Sequence, residues 1–85
     1  MKTVPCEIVT PEKVVLREEA EFIVAPGGEG ELGILPGHTR LLAGLKTGNV
    51  RLVKGSETRK FSVAGGIITI EPAMVRILSP SATPL

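Results

Sequence analysis

His38, Cys6 and nine glutamates are the first residues to ask for chemistry in this chain of 85, which has no Asp, Gln, Tyr or Trp. Four Cys/His ligands make a structural zinc site, and Cys6 and His38 are the only such residues present. EF-hand loops and Walker-B magnesium sites lean on Asp, and its absence disfavours both. One cysteine makes no internal disulfide and fits a reducing compartment; Cys6 lies in an apolar run and reads as a small buried hydrophobe. The aromatics are Phe22 and Phe61 alone, too few for the stacking platforms of single-strand binders. Formal charge is +1 with the signs interleaved, which gives no nucleic-acid or lipid-surface footprint.

The least ordinary stretch is Ala25-Pro26-Gly27-Gly28-Glu29-Gly30-Glu31-Leu32-Gly33-Ile34-Leu35-Pro36-Gly37-His38. Its glycines and prolines prescribe a backbone path with several positive-φ positions. A phosphate-cradling loop would need Lys-Ser/Thr after the glycines and a following helix. Glu29 and Glu31 stand there instead and repel phosphate. A His38–glutamate pair lacks a nucleophile, a metal or a third group to act with. Two readings remain open on the residues alone: a shaped protein-docking loop offering Glu31 and His38, and a turn whose charges are merely solvated.

The elements that position this stretch are strands. Val, Ile and Thr supply 23 residues, and Gly and Pro are spread along the chain rather than gathered in a linker. Extended segments are expected at Val4–Val9, Lys13–Arg17, Ala20–Ala25, Gly30–Leu35, Thr39–Leu42, Gly48–Val53, Glu57–Ala64, Ile67–Glu71 and Met74–Leu78. Such regular spacing signals an all-β sandwich or small barrel. Val50 and Leu52 alternate with Arg51, and Phe61 and Val63 with Lys60 and Ser62, as in half-buried strands. Lys54-Gly55-Ser56-Glu57 reads as a hairpin turn. Gly65-Gly66 predicts a bulge that shifts register or a close backbone approach, ahead of a central Ile67-Ile68-Thr69-Ile70. Leu41–Leu45 allows a turn of helix, limited by Gly44 and Gly48. Arg51, Lys54, Arg59 and Lys60 read as a solvated edge that deters edge-to-edge pairing. One domain is expected over 1–78, with a loosely ordered tail over 79–85. No apolar run approaches the ~20 residues of a membrane span and no signal peptide opens the chain.

At Val24-Ala25-Pro26, Gly30 through His38, Leu41-Leu42-Ala43-Gly44-Leu45-Lys46 and Gly48, the sequence resembles the epsilon subunits of F-type ATP synthases. Glu7 to Lys13 resembles the family's opening strand, and Val63-Ala64-Gly65-Gly66-Ile67 its late glycine pair. The resemblance runs through nearly the whole chain in order. It implies a flattened β-sandwich of about ten strands, catalysing nothing and binding no cofactor or metal. It further implies a central-stalk rotor part that binds the gamma subunit and rests on the polar loops of the membrane c-ring. The ring-facing residues would be Glu29, Glu31, Leu32, Gly33, Ile34, Pro36, Gly37 and His38. The expected location is peripheral, on the cytoplasmic face of a bacterial cell membrane or the stromal face of a thylakoid, with no direct insertion and no nucleic acid. Arg40 stands where the family usually has Pro. The family's C-terminal helical pair, with its inhibitory and ATP-sensing roles, has no counterpart in these residues, and the Pro-rich tail reads as an ending rather than an interrupted helix. The competing class is a small β-barrel nucleic-acid or ribosome-associated module, which the scarce aromatics and near-neutral charge disfavour.

Overall fold

A computed structural model describes residues 2–37 and 40–85. Among them the regular elements are eight strands: β1 (Val4–Val9), β2 (Val14–Ala20), β3 (Phe22–Gly27), β4 (Gly30–Ile34), β5 (Leu41–Lys54), β6 (Glu57–Glu71), β7 (Met74–Leu78) and β8 (Ala82–Pro84). No described helix is long and apolar enough to cross a membrane. Hydrogen bonding links the strands in the order β2-β1-β7-β6-β5-β3-β4, with β8 added on β6. Only β1 and β7 run parallel. The result is a flattened sandwich and not a closed barrel, because β2 and β4 end the path unjoined.

The β5–β6 hairpin belongs to both layers. On its far side β6 pairs with β8 at Phe61–Val63 and with β7 at Ile67–Glu71. The turn is Gly55-Ser56, flanked by the pair Lys54↔Glu57. Gly55 has φ 62 and no described non-glycine residue has positive φ, the pattern of a II′ turn with glycine first. The expected segments Thr39–Leu42 and Gly48–Val53 are absorbed into β5, and Glu57–Ala64 and Ile67–Glu71 join as β6. Glycines that would break a helix are carried through here because both strands stay paired across them. That also removes the turn of helix expected over Leu41–Leu45.

Gly65-Gly66 does something other than shift register. Pairing keeps the same offset from Lys54↔Glu57 to Leu41↔Ile70. What changes is the inward face: Phe61 and Val63 are buried near the turn, Ile68 and Ile70 beyond the glycines. Those two pairs have opposite parity, so the pleat inverts between them. Gly65 at φ 73 and Gly66 at φ 124 absorb the inversion. The other expected feature, a close backbone approach, is present: a Cβ on Gly66 would fall on the Leu78 carbonyl oxygen.

Cys6, Ile8, Ile23, Val50, Ile68, Ile70, Val75 and Ile77 fill the space between the layers, with Phe61 the one aromatic in the core. Burying each aliphatic of this size stabilises by about 1.5–3 kcal/mol. The tail expected to be loosely ordered over 79–85 supplies β8 instead. Where β7 stops opposite Ile67, the turn-side arm of β6 has a free edge, and Ala82–Pro84 pair with it. Ser79 N–H donates to the Val9 carbonyl at 3.0 Å and Leu85 N–H to the Lys60 carbonyl at 2.9 Å.

Candidate functional site

The β3–β4 hairpin presents the glutamate-bearing stretch. Gly27 pairs with Gly30, so Gly28-Glu29 is a two-residue turn, braced by a 3.0 Å bond from Gly28 N–H to the Gly44 carbonyl. Gly30 takes φ 137, which a side chain would resist. Glu29 and Glu31 are exposed, Glu31 opposite Pro26 on the edge strand. Alternation then separates the other nominated residues. Leu32 packs against the core and Ile34 is only 1% exposed, whereas Gly33 and Gly37 are exposed and Pro36 is half-buried. The Ile34 side chain therefore has no surface to offer a ring. At ~3.3 Å per residue, β4 carries the chain roughly 15 Å from the turn before Leu35, and of the nominated residues that are described Leu32 and Ile34 face away from the exposed Glu29, Glu31 and Gly33. His38 lies outside the described residues. Between the hairpin and the start of β5 lies a groove of about 480 Å³, lined by Gly28, Glu29, Glu31, Leu41 and Leu42. Among the described residues no three Cys, His, Asp or Glu side chains come together to hold a metal.

A second surface was not nominated by the sequence. On the outer face of the β1-β7-β6 layer, Val9 pairs with Leu78 and Leu78 with Ile67. Ile67 and Leu78 are 45% and 42% exposed. They line a shallow apolar depression of about 440 Å³ together with Pro11 and Pro80. Leu42, on β5 and 70% exposed, extends the apolar character across Thr69. One step along the strands the same face turns ionic. Glu7 lies between its pairing partners Arg17 and Arg76 and accepts hydrogen bonds from Arg76 Nε at 2.7 Å and Arg17 Nε at 2.8 Å. Only 3% of Glu7 is exposed. The bonds from Arg76 and then Arg17 hold its carboxyl below the ordinary glutamate range, against the opposing effect of burial. Behind it Cys6 is fully buried, and burial, with the Glu7 charge, pushes its thiol up to about 12. Cys6 is thus an unreactive core residue.

Known proteins supply the frame for these two surfaces. Residues 3–85 match the family described as ATP synthase, Delta/Epsilon chain, beta-sandwich domain. The chain belongs to that family. The ATP synthase epsilon chain of Desulforamulus reducens is 46% identical over 81 residues, covering 95% of this chain and 61% of that protein. The epsilon chain of Bordetella avium is 42% identical over 83 residues, covering 96% and 59%. The chain therefore spans about three-fifths of the length of these relatives. Its fold matches a chain in the Euglena gracilis mitochondrial ATP synthase (OSCP/F1/c-ring) with a TM-score of 0.90 at 22% identity, covering 96% of this chain and 53% of that one. A chain in the central stalk/c-ring structure of the Tetrahymena thermophila mitochondrial ATP synthase matches with a TM-score of 0.78 at 20% identity, covering 95% and 66%.

Within this delta/epsilon sandwich, Arg40 stands 3.7 Å from Glu71 in an exposed ion pair. Such pairs contribute about 0–1 kcal/mol. It ties the start of β5 to the end of β6. The Glu7 cluster had one legible sign, a glutamate between Cys6 and Ile8 in an apolar strand. Its partners lie 10 and 69 residues away, which no local pattern reports. Ile67 and Leu78 read as ordinary core aliphatics until the pleat inversion at Gly65-Gly66 turns Ile67 outward.

Proposed function

We propose that this chain is a non-catalytic rotor part of a proton-translocating F-type ATP synthase. It links the gamma subunit to the c-ring at the cytoplasmic (or stromal) membrane face and couples proton flow to ATP synthesis. The family match over residues 3–85 carries this reading. The two surfaces give it a division of labour. The apolar flank around Ile67 and Leu78 is the larger source of adhesion and receives gamma, within an interface of roughly 1,200–2,000 Å². The acidic turn bearing Glu29 and Glu31 meets the polar ring loops. Charge-assisted contacts there contribute about 0–1 kcal/mol each under solvent screening, so they orient the stalk and transmit torque more than they hold it.

The test is proton pumping in reconstituted membranes carrying Glu31→Lys. The charge reversal is expected to impair coupling more than stalk assembly, most strongly at low salt. Full coupling at low salt would show that the turn takes no part in the ring contact.

A further inference from the structure

We propose that the outer face of the β6-β5-β3 layer, at Lys46, Arg51 and Lys60, docks an acidic segment of a protein partner. This goes beyond the gamma and ring contacts above and concerns the adjoining face, which meets the ring-facing turn at Glu31. Arg51 and Lys60 are direct cross-strand partners. Like charges directly opposite one another destabilise a sheet. Lys46 joins them around a depression of about 390 Å³, which Thr47 and Asn49 also line. The remaining arginines show how this chain ordinarily treats such charge. Arg17 and Arg76 pair with Glu7, Arg40 with Glu71 and Arg59 with Glu18. Arg51 alone of the five has no ion pair among the described residues.

The chemistry of the depression selects the occupant. A guanidinium beside an ammonium on the neighbouring strand matches carboxylates, which Arg grips in a fork and Lys as a point charge. Asn49 and Thr47 add neutral hydrogen-bonding groups for a peptide backbone. Glu31 sits on the rim of the same depression and limits it to a short acidic segment. A long phosphate array would meet that carboxylate, and a net charge of +1 provides no wider field to hold one.

The test uses the 85-residue chain, isotopically labelled, titrated with an oligoglutamate peptide at low ionic strength. Amide shifts are expected at residues 46–51, at Lys60 and at Glu31. Arg51→Gln and Lys60→Gln should each weaken binding about two- to fivefold, the scale of one exposed ion pair. Lys60→Arg should restore it, Glu31→Gln should strengthen it, and Lys13→Gln should leave it unchanged. All these side chains are exposed, and far-UV circular dichroism checks that each variant is folded. Equal losses from Lys13→Gln, or shifts spread over Lys2, Lys13 and Lys54, would overturn the site. So would an equally strong response of the same amides to inorganic phosphate or to phosphatidylserine vesicles, because the surface would then take phosphates rather than a peptide.

Discussion

The two outer faces of the sandwich handle charge in opposite ways. On the β1-β7-β6 face, one buried glutamate accepts hydrogen bonds from two arginines, and an apolar row lies beside it uncovered. On the β6-β5-β3 face, Arg51 opposes Lys60 with no acid in ion-pair range among the described residues. The first face has settled its electrostatics internally and leaves apolar area for a partner. The second leaves charge. A partner meeting the first gains by excluding water, and one meeting the second gains by supplying carboxylates.

The sharpest way to break this contrast is at Gly66, where the pleat inverts and Ile67 turns outward. Gly66→Ala puts a Cβ against the Leu78 carbonyl at a φ that side chains avoid. A loss of about 2–4 kcal/mol is expected, read from the denaturant midpoint. A neutral result would mean that β6 and β7 can separate without cost.

Glu7→Gln tests the internal settlement on the first face. It leaves Arg17 and Arg76 without their counter-charge, and the melting temperature should fall several degrees at neutral pH. The pH dependence has a fixed direction. The folded-state carboxyl titrates below its ordinary value, so its contribution is complete above the unfolded pKa of about 4.3 and is lost as pH falls through the lower, folded value. Thermal melts of parent and variant should therefore converge on acidification. Cys6 reports on the same region, because a thiol buried and raised to about 12 should resist iodoacetamide at neutral pH until the sandwich unfolds. Rapid alkylation under native conditions would show that β1 opens readily.

The smallest effect belongs to the second face. Lys60→Gln relieves the opposition to Arg51 and should leave stability unchanged or raise it by up to ~1 kcal/mol. Measurable destabilisation would mean that Lys60 makes a contact worth more than the repulsion it suffers.

Strand content, the Gly55-Ser56 turn and the inward alternation of Val50, Leu52, Phe61 and Val63 were legible because each is local and periodic. The glutamate-bearing turn was legible because its glycines and prolines are dense. Three features were not. The pleat inversion needs the φ values of Gly65 and Gly66, which sequence spacing does not give. The Glu7 cluster joins residues from three strands, one of them 69 residues away in the chain. The place of the tail depended on the part of the β6 edge that β7, stopping opposite Ile67, leaves unpaired. Ile34 is buried in the core, although it lies in a motif that otherwise reads as surface.

Calorimetric titration of gamma against two variants, Ile67→Glu and Glu31→Lys, tests the division between flank and turn most directly. Ile67→Glu places a charge in the apolar row and should weaken gamma binding at least about tenfold, or about 1.4 kcal/mol, with the fold intact. Glu31→Lys should leave affinity within about twofold, as expected for an exposed charge outside the interface. The reverse pattern, with Glu31→Lys abolishing binding and Ile67→Glu tolerated, would contradict it.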